Sequence, residues 1–195
     1  MKLNKWWPLG LIFILALFLR FYGFTGNVYF GFDEARDAFV SQAIYTQGDW
    51  KIIGPPANAP GLNHGVLHWY LMGILYIVGL GNPFFVAAVF RIINALAIFP
   101  IFWITDKLFG KRAAYIASAI FAVSFEATQY SMYYGNPSLA IFSWISLFAG
   151  AVVIYKNKNK FWGLPLMALG IASGAQLELF LVTLYSRNSN STDTV

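Results

Sequence analysis

The stretch VLHWYLMGILYIVGL, residues 66–80, decides how this chain is arranged. It is apolar but short, and Gly79, Gly81 and Pro83 break the chain at its end. Crossing about 30 Å of hydrocarbon takes roughly 17–25 apolar residues. Charge decides whether this stretch crosses. Basic residues cluster at Lys2/Lys5, at Lys107/Lys111/Arg112 and at Lys156/Lys158/Lys160. The positive-inside rule puts all three groups on the cytoplasmic side. Longer apolar runs cover about 6–22, 84–108, 113–132, 137–155 and 161–184. The pair 113–132 and 137–155 returns the chain to the side it left, so the last two basic groups agree. Lys2 and Lys5 join them only if an even number of spans precedes Lys107. Runs 6–22 and 84–108 make two, so 66–80 is expected to lie in or dip into the outer interface. Residues 23–83 then form one external loop.

Composition agrees with a membrane protein. Of 195 residues, 58% are hydrophobic and 11% charged, with a mean hydropathy of +0.60. A soluble domain is about half apolar and about 25% charged. The fold expected is all-α: a polytopic membrane helix bundle of about five spans, residues 1–184, with an external loop of interfacial helices. The net charge of +5 sits largely at span ends, where topology accounts for it without nucleic acid. The chain has no cysteine, so disulfides and Cys-ligated metals are excluded, and two histidines alone do not make a zinc site. Lys2 and Lys5 precede a run opened by Trp6, Trp7 and Pro8, and no small-x-small cleavage site follows Phe24, which reads as an uncleaved signal anchor. Arg20, near the end of that run, is placed to snorkel to the interface. The terminal YSRNSNSTDTV, residues 185–195, is polar and low in complexity, and is expected to mark an incomplete or altered C-terminus.

In so apolar a chain the acids stand out. Residues 30–37 read FGFDEARD, and Asp33, Glu34, Asp37 and Asp49 are four of the eight acids. Residues 33–47 have helical periodicity, with Ala35, Phe39 and Ala43, and Val40 and Ile44, at i, i+4. That reads as a short amphipathic helix on the membrane surface. Asp33 is expected to cap it, with Glu34 in the first turn, where the helix dipole favours a negative charge. Arg36 then pairs with the acids. The same positions suit chemistry: a carboxylate at the membrane face accepts a proton from a hydroxyl, and an arginine one turn away holds a phosphate bidentately.

Other polar residues gather on the same outer side. GPPANAPG, residues 54–61, is a loop because its prolines forbid a continuous helix. His64 and His68 are spaced to share a helix face, either as interfacial residues beside Trp69 and Tyr70 or as phosphate partners. Arg91 and Asn94 lie one turn apart inside a span, where polar groups need partners. Glu126 is a candidate to neutralise Arg91, and Glu178 falls in the last run. YSMYYGNP, residues 130–137, is the next outer turn. Pro137 suits a helix start and Asn136 its cap, while Asn136 with Tyr133 or Tyr134 also suits the mouth of a pocket.

These residues come in a recognisable order: an N-terminal span, DEARDAF, GDW, a Pro-rich loop, GVLHWYL, a Gly-Asn-Pro break, a span carrying Arg91, the basic KLFGKR turn, and an aromatic Asn-Pro turn. Over about residues 6–183 the chain resembles membrane glycosyltransferases of the C-type (GT-C) fold. The branch it looks most like holds bacterial lipid A aminoarabinose transferases and protein O-mannosyltransferases. The resemblance implies a polyprenyl-phosphate sugar donor and inverting transfer, outside the cytoplasm, to a lipid, glycan or protein hydroxyl. It implies Asp33, with Glu34 beside it, as the catalytic acid of the DE motif, and Arg36 as the donor-phosphate ligand. Many members carry a lysine before a Pro-Pro pair in the external loop; here Asn63-His64-Gly65 stands there, so His64 takes that role. Many carry an acid before the proline of the next outer turn; here it is Asn136. Asp37, His68, Arg91 and Tyr133 are the supporting candidates. No cofactor is required, although Asp33, Glu34 and Asp37 are also of the type to take a divalent cation. The rival readings are a transporter or flippase of lipid-linked sugars and an inactive fragment.

Overall fold

The computed structural model describes residues 6–57, 61–158 and 160–177. Lys2, Lys5, Glu178 and the polar tail lie outside these. Among the described residues the regular structure is helical, save one isolated antiparallel bridge between Pro56 and Asn63. Among the described residues, three stretches are long and apolar enough to cross a membrane: Trp7–Gly26, Pro83–Phe109 and Asn136–Lys156.

Trp7–Phe21 forms α1, with Pro8 in its first turn, where the missing N–H costs nothing. Little of the apolar stretch Trp7–Gly26 is buried inside the protein. Leu11, Ile14, Leu15 and Phe18 face outward, a surface suited to hydrocarbon rather than water.

Phe32–Thr46 forms α2 and Leu67–Val78 forms α3, and the two pack together. At 12 residues α3 is about 18 Å long, well short of the hydrocarbon thickness, in keeping with a segment that does not cross. Gly73 lets α3 approach α2 closely: a Cβ there would lie 2.4 Å from the Ser41 carbonyl oxygen.

Pro83–Leu96 is α4 and Ile98–Phe109 is α5. They are one apolar rod of 27 residues interrupted at Ala97. Pro100 is the cause: it cannot donate to the Leu96 carbonyl, and its ring crowds that carbonyl. Asn82 caps α4, its Oδ1 accepting from the Phe84 N–H at 2.9 Å.

Run 113–132 is not one helix. It divides into α6, Lys111–Val123, and α7, Phe125–Met132. Ser124 turns extended and its Oγ caps α7 through the Ala127 N–H at 3.2 Å, a local bond that competes with helix continuation. Asn136–Leu139 is a 3₁₀ turn leading into α8, Ala140–Asn157. Lys158, left-handed at φ 52°, reverses the chain into α9, Lys160–Leu177. Glycines bring α8 and α9 together: a Cβ on Gly170 would lie 2.6 Å from the Ser143 carbonyl oxygen.

Two buried clusters hold the helices. Leu9, Ala16, Ala95, Ile98, Phe102, Ala114 and Ala122 join α1, α4, α5 and α6. Ala38, Met72, Tyr76, Val86, Ala87, Phe90 and Tyr134 join α2, α3 and α4 to the turn after α7. The second cluster is the floor on which the acidic helix rests.

Candidate active site

The start of α2 differs from the sequence expectation. Gly31, not Asp33, is the N-cap. Glu34 supplies the side-chain cap by reaching back, its Oε2 accepting from the Gly31 N–H at 3.0 Å. Glu34 is thereby turned away and buried, and its Oε1 has no partner. Asp33 is freed of capping duty, and its side chain keeps 60% of its accessibility.

Arg36 ties the acids together. Its Nη1 donates to Asp33 Oδ1 at 2.6 Å, and its Nε and Nη2 lie 2.9 and 2.8 Å from Asp37 Oδ1. Two of its five N–H groups donate in hydrogen bonds, and Nη2 stands in ion-pair contact with Asp37. Asp37 is buried, and its Oδ1 also accepts the Trp69 indole N–H at 2.8 Å. Burial raises the Asp37 pKa above the ordinary carboxylate range, against the lowering effect of Trp69 and Arg36. Behind it His68 Nε2 stands 3.8 Å from Asp37 Oδ2. Burial pushes His68 down to about 3, helped by the charge of Arg36, so its ring is neutral, and neither ring nitrogen has a hydrogen-bond partner.

Asp33, Arg36 and Asp37 form one wall of a cavity of about 740 Å³. The opposite wall comes from Tyr130, Tyr133 and the 136–138 turn, with Ile141 and Trp144 of α8 behind it. Pro55, Pro56, His64 and Asn94 of α4 also line the cavity. His64 is held by short antiparallel pairing, in which its N–H donates to the Pro55 carbonyl and the Ala57 N–H to that of Leu62, both at 2.9 Å. Two glycines allow this. A Cβ on Gly54 would meet the Gly65 carbonyl oxygen at 2.3 Å, and Gly65 seats against α9, its N–H donating to the Gln176 carbonyl at 2.9 Å.

Asn136 is placed at the cavity but does not cap with its side chain. The chain is already turned by Gly135, whose carbonyl accepts from the Ser138 N–H and hydroxyl, and Asn136 Oδ1 is buried without a partner. The Tyr133 ring folds over Gly135, where a Cβ would lie 2.5 Å from its Cζ. Burial, then the charges of Glu34, Asp33 and Asp37, raise the Tyr133 phenol to about 12, so it stays protonated and able to donate. Tyr134 is not at the mouth; it is buried against Phe90.

Of the sequence candidates, Asp33, Arg36, Asp37, His64, Tyr133 and Asn136 line one cavity, and His68 backs it. Arg91 does not line it. It is fully buried, donates to the carbonyls of Arg20 at 2.7 Å and Asn27 at 2.6 Å, and packs over the Phe24 ring. It is a staple between α4 and the end of α1. Glu126 is exposed at the start of α7 and does not neutralise it. Arg20 does not snorkel either: it is fully buried, with Nε donating to Asn94 Oδ1 at 2.8 Å and Nη1 to the Ala16 and Ala122 carbonyls. Asp49 pairs with Lys51 at 2.7 Å, away from the cavity lining. Among the described residues, no three metal-ligating side chains converge, because Glu34 faces Gly31 and Asp37 faces Trp69. Sequence reasoning missed Trp69 as the anchor of Asp37 and Tyr130 and Trp144 as walls. Of these, only Tyr130 carried a signal, three residues before Tyr133.

No family model, curated protein or solved structure matches the chain.

Proposed function

We propose that the protein is a membrane glycosyltransferase that moves a sugar from a polyprenyl-phosphate donor to a hydroxyl of a lipid, glycan or protein. The observation that carries this reading is the exposed Asp33 carboxylate, held by Arg36 at the wall of a large cavity beside the apolar helices. The acceptor hydroxyl gives its proton to Asp33 as its oxygen attacks the anomeric carbon. The bond from that carbon to the phosphate oxygen breaks, and the phosphate keeps the electron pair. The N–H groups of Arg36 not given to Asp33 and Asp37, with His64, meet the charge that grows on the departing phosphate. Tyr133 and Asn136 contact the sugar from the facing wall. No step is routed through a metal ion.

The topology belongs to the same proposal. Five spans, with the N-terminus cytoplasmic, put α2, α3 and the cavity on the outer side of the cell membrane. Phe32, Phe39, Trp50, Ile52 and Ile53 are exposed around α2 and the loop after it, a surface suited to the lipid interface. The donor's tail then stays in the bilayer while its reactive carbon reaches Asp33.

Membranes carrying the full-length protein are incubated with a labelled polyprenyl-phosphate sugar, and free polyprenyl phosphate and glycosylated product are measured. Release of polyprenyl phosphate coupled to product supports transfer. Movement of intact donor between leaflets without bond cleavage would point to the transporter instead.

A further inference from the structure

The unbalanced positive charge is not where the sequence motif puts it. Arg36 stands between two carboxylates, Asp33 and Asp37, so that cluster is not a net cation. Arg20 and Arg91 are different. Both are fully buried, and neither has a carboxylate within ion-pair distance among the described residues. Their hydrogen bonds go to the Asn94 side-chain oxygen and to backbone carbonyls, and Arg20 Nη2 and Arg91 Nε are left without a partner. Two buried cations without a counter-ion are costly unless an anion comes to them.

Asn94 connects these cations to the cavity. It is 3% exposed, lines the cavity, and lies one turn from Arg91 on α4. Its Oδ1 is fixed by the Arg20 Nε–H at 2.8 Å. An amide whose oxygen is held on the protein side presents its NH₂ on the other. The guanidinium against the oxygen also polarises that NH₂ and makes it a stronger donor.

Resting on the transferase reading for the ligand's identity, we propose that Asn94 is a phosphate-binding residue. Its NH₂ donates to the phosphate oxygens of the lipid donor, while Arg20 orients the amide and, with Arg91, supplies the balancing positive charge.

Asn94→Asp separates this role from a structural one. Aspartate keeps an oxygen for Arg20 and gives the two arginines a counter-ion, so the fold is retained. It loses both donors and sets a negative charge against the phosphate. The full-length protein in nanodiscs is titrated with farnesyl phosphate, with farnesol as the same chain lacking phosphate. Asn94→Asp is expected to weaken farnesyl phosphate binding at least thirtyfold, with farnesol binding and melting temperature no lower than wild type. Equal affinity of both proteins for farnesyl phosphate overturns the proposal, as does loss of farnesol binding in the variant or absence of farnesyl phosphate binding by wild type. Competition by inorganic phosphate at the same concentration would reassign the site to the free ion and overturn the lipid source. Asn94-dependent binding without sugar transfer would leave this site standing and sink the transferase reading alone.

Discussion

Arg36 Nη1 lies 2.6 Å from Asp33 Oδ1, one turn apart on α2, and the same guanidinium clasps Asp37 on its other edge. One side chain therefore fixes an exposed carboxylate by leaning on a buried one. Lysine has the charge but not the fork. Arg36→Lys is expected to lower sugar transfer on the order of 100-fold, the scale of losing one aligned donor to a developing oxyanion. Stability should also fall, by about 1–3 kcal/mol, because the buried Asp37 loses a donor that Arg36 gives it, while the exposed Asp33 pair adds little. Steady-state kinetics and a melting curve on the same preparation check both.

Trp69 anchors the buried end of that clasp. Trp69→Phe keeps the ring but removes the N–H that Asp37 accepts at 2.8 Å. Leaving a buried carboxylate short of one donor costs about 1–3 kcal/mol. Thermal or denaturant unfolding should show that loss, and the Asp37 pKa, followed by its infrared carboxyl band, should move further upward.

His68 makes the fold acid-sensitive. Burial holds its pKa down at about 3, well below the ordinary imidazole value of about 6.5. Between those values the unfolded chain binds a proton that the folded chain does not. Stability therefore falls as pH drops from 6.5 toward 3, by up to about 1.4 kcal/mol per pH unit from this group. His68→Phe, which fills the site beside Phe90 without a titrating group, is expected to flatten that limb of a melting-temperature profile. An unchanged slope would show that other groups set the acid sensitivity.

Gly54 holds the His64 loop by having no side chain. A Cβ there would lie 2.3–2.6 Å from backbone atoms of His64 and Gly65, which no rotamer change relieves. Gly54→Ala is expected to displace His64 and cut transfer at least tenfold, while His64→Ala made in that background adds little further. Additive effects of the two substitutions would show that Gly54 does not act through His64.

The helical class was legible because long apolar runs leave few alternatives, and the shortness of run 66–80 reappears in the 12 residues of α3. The break at Ser124 was harder to see, since a serine inside an apolar run is tolerated unless its hydroxyl caps the next helix. The site was legible in its types: Asp33, Arg36, Asp37, His64, Tyr133 and Asn136 do share a cavity. Their duties were not. Whether Asp33 or Gly31 caps α2 depends on Glu34 folding back, and glycine leaves no sequence signature of a cap beside an aspartate. Arg20 and Arg91 looked alike in sequence to any charge near a membrane. Only packing shows that Arg20 bonds across to Asn94 of α4 and Ala122 of α6, and that Arg91 bonds back to the end of α1.

In the proposed reaction Asp33 takes the acceptor's proton. The direct measurement is sugar transfer from a polyprenyl-phosphate donor by full-length wild type and Asp33→Asn at equal expression and equal melting temperature. The variant is expected to bind donor but to form product at less than about one-hundredth of the wild-type rate, the scale of general-base catalysis. Normal turnover by Asp33→Asn would contradict it.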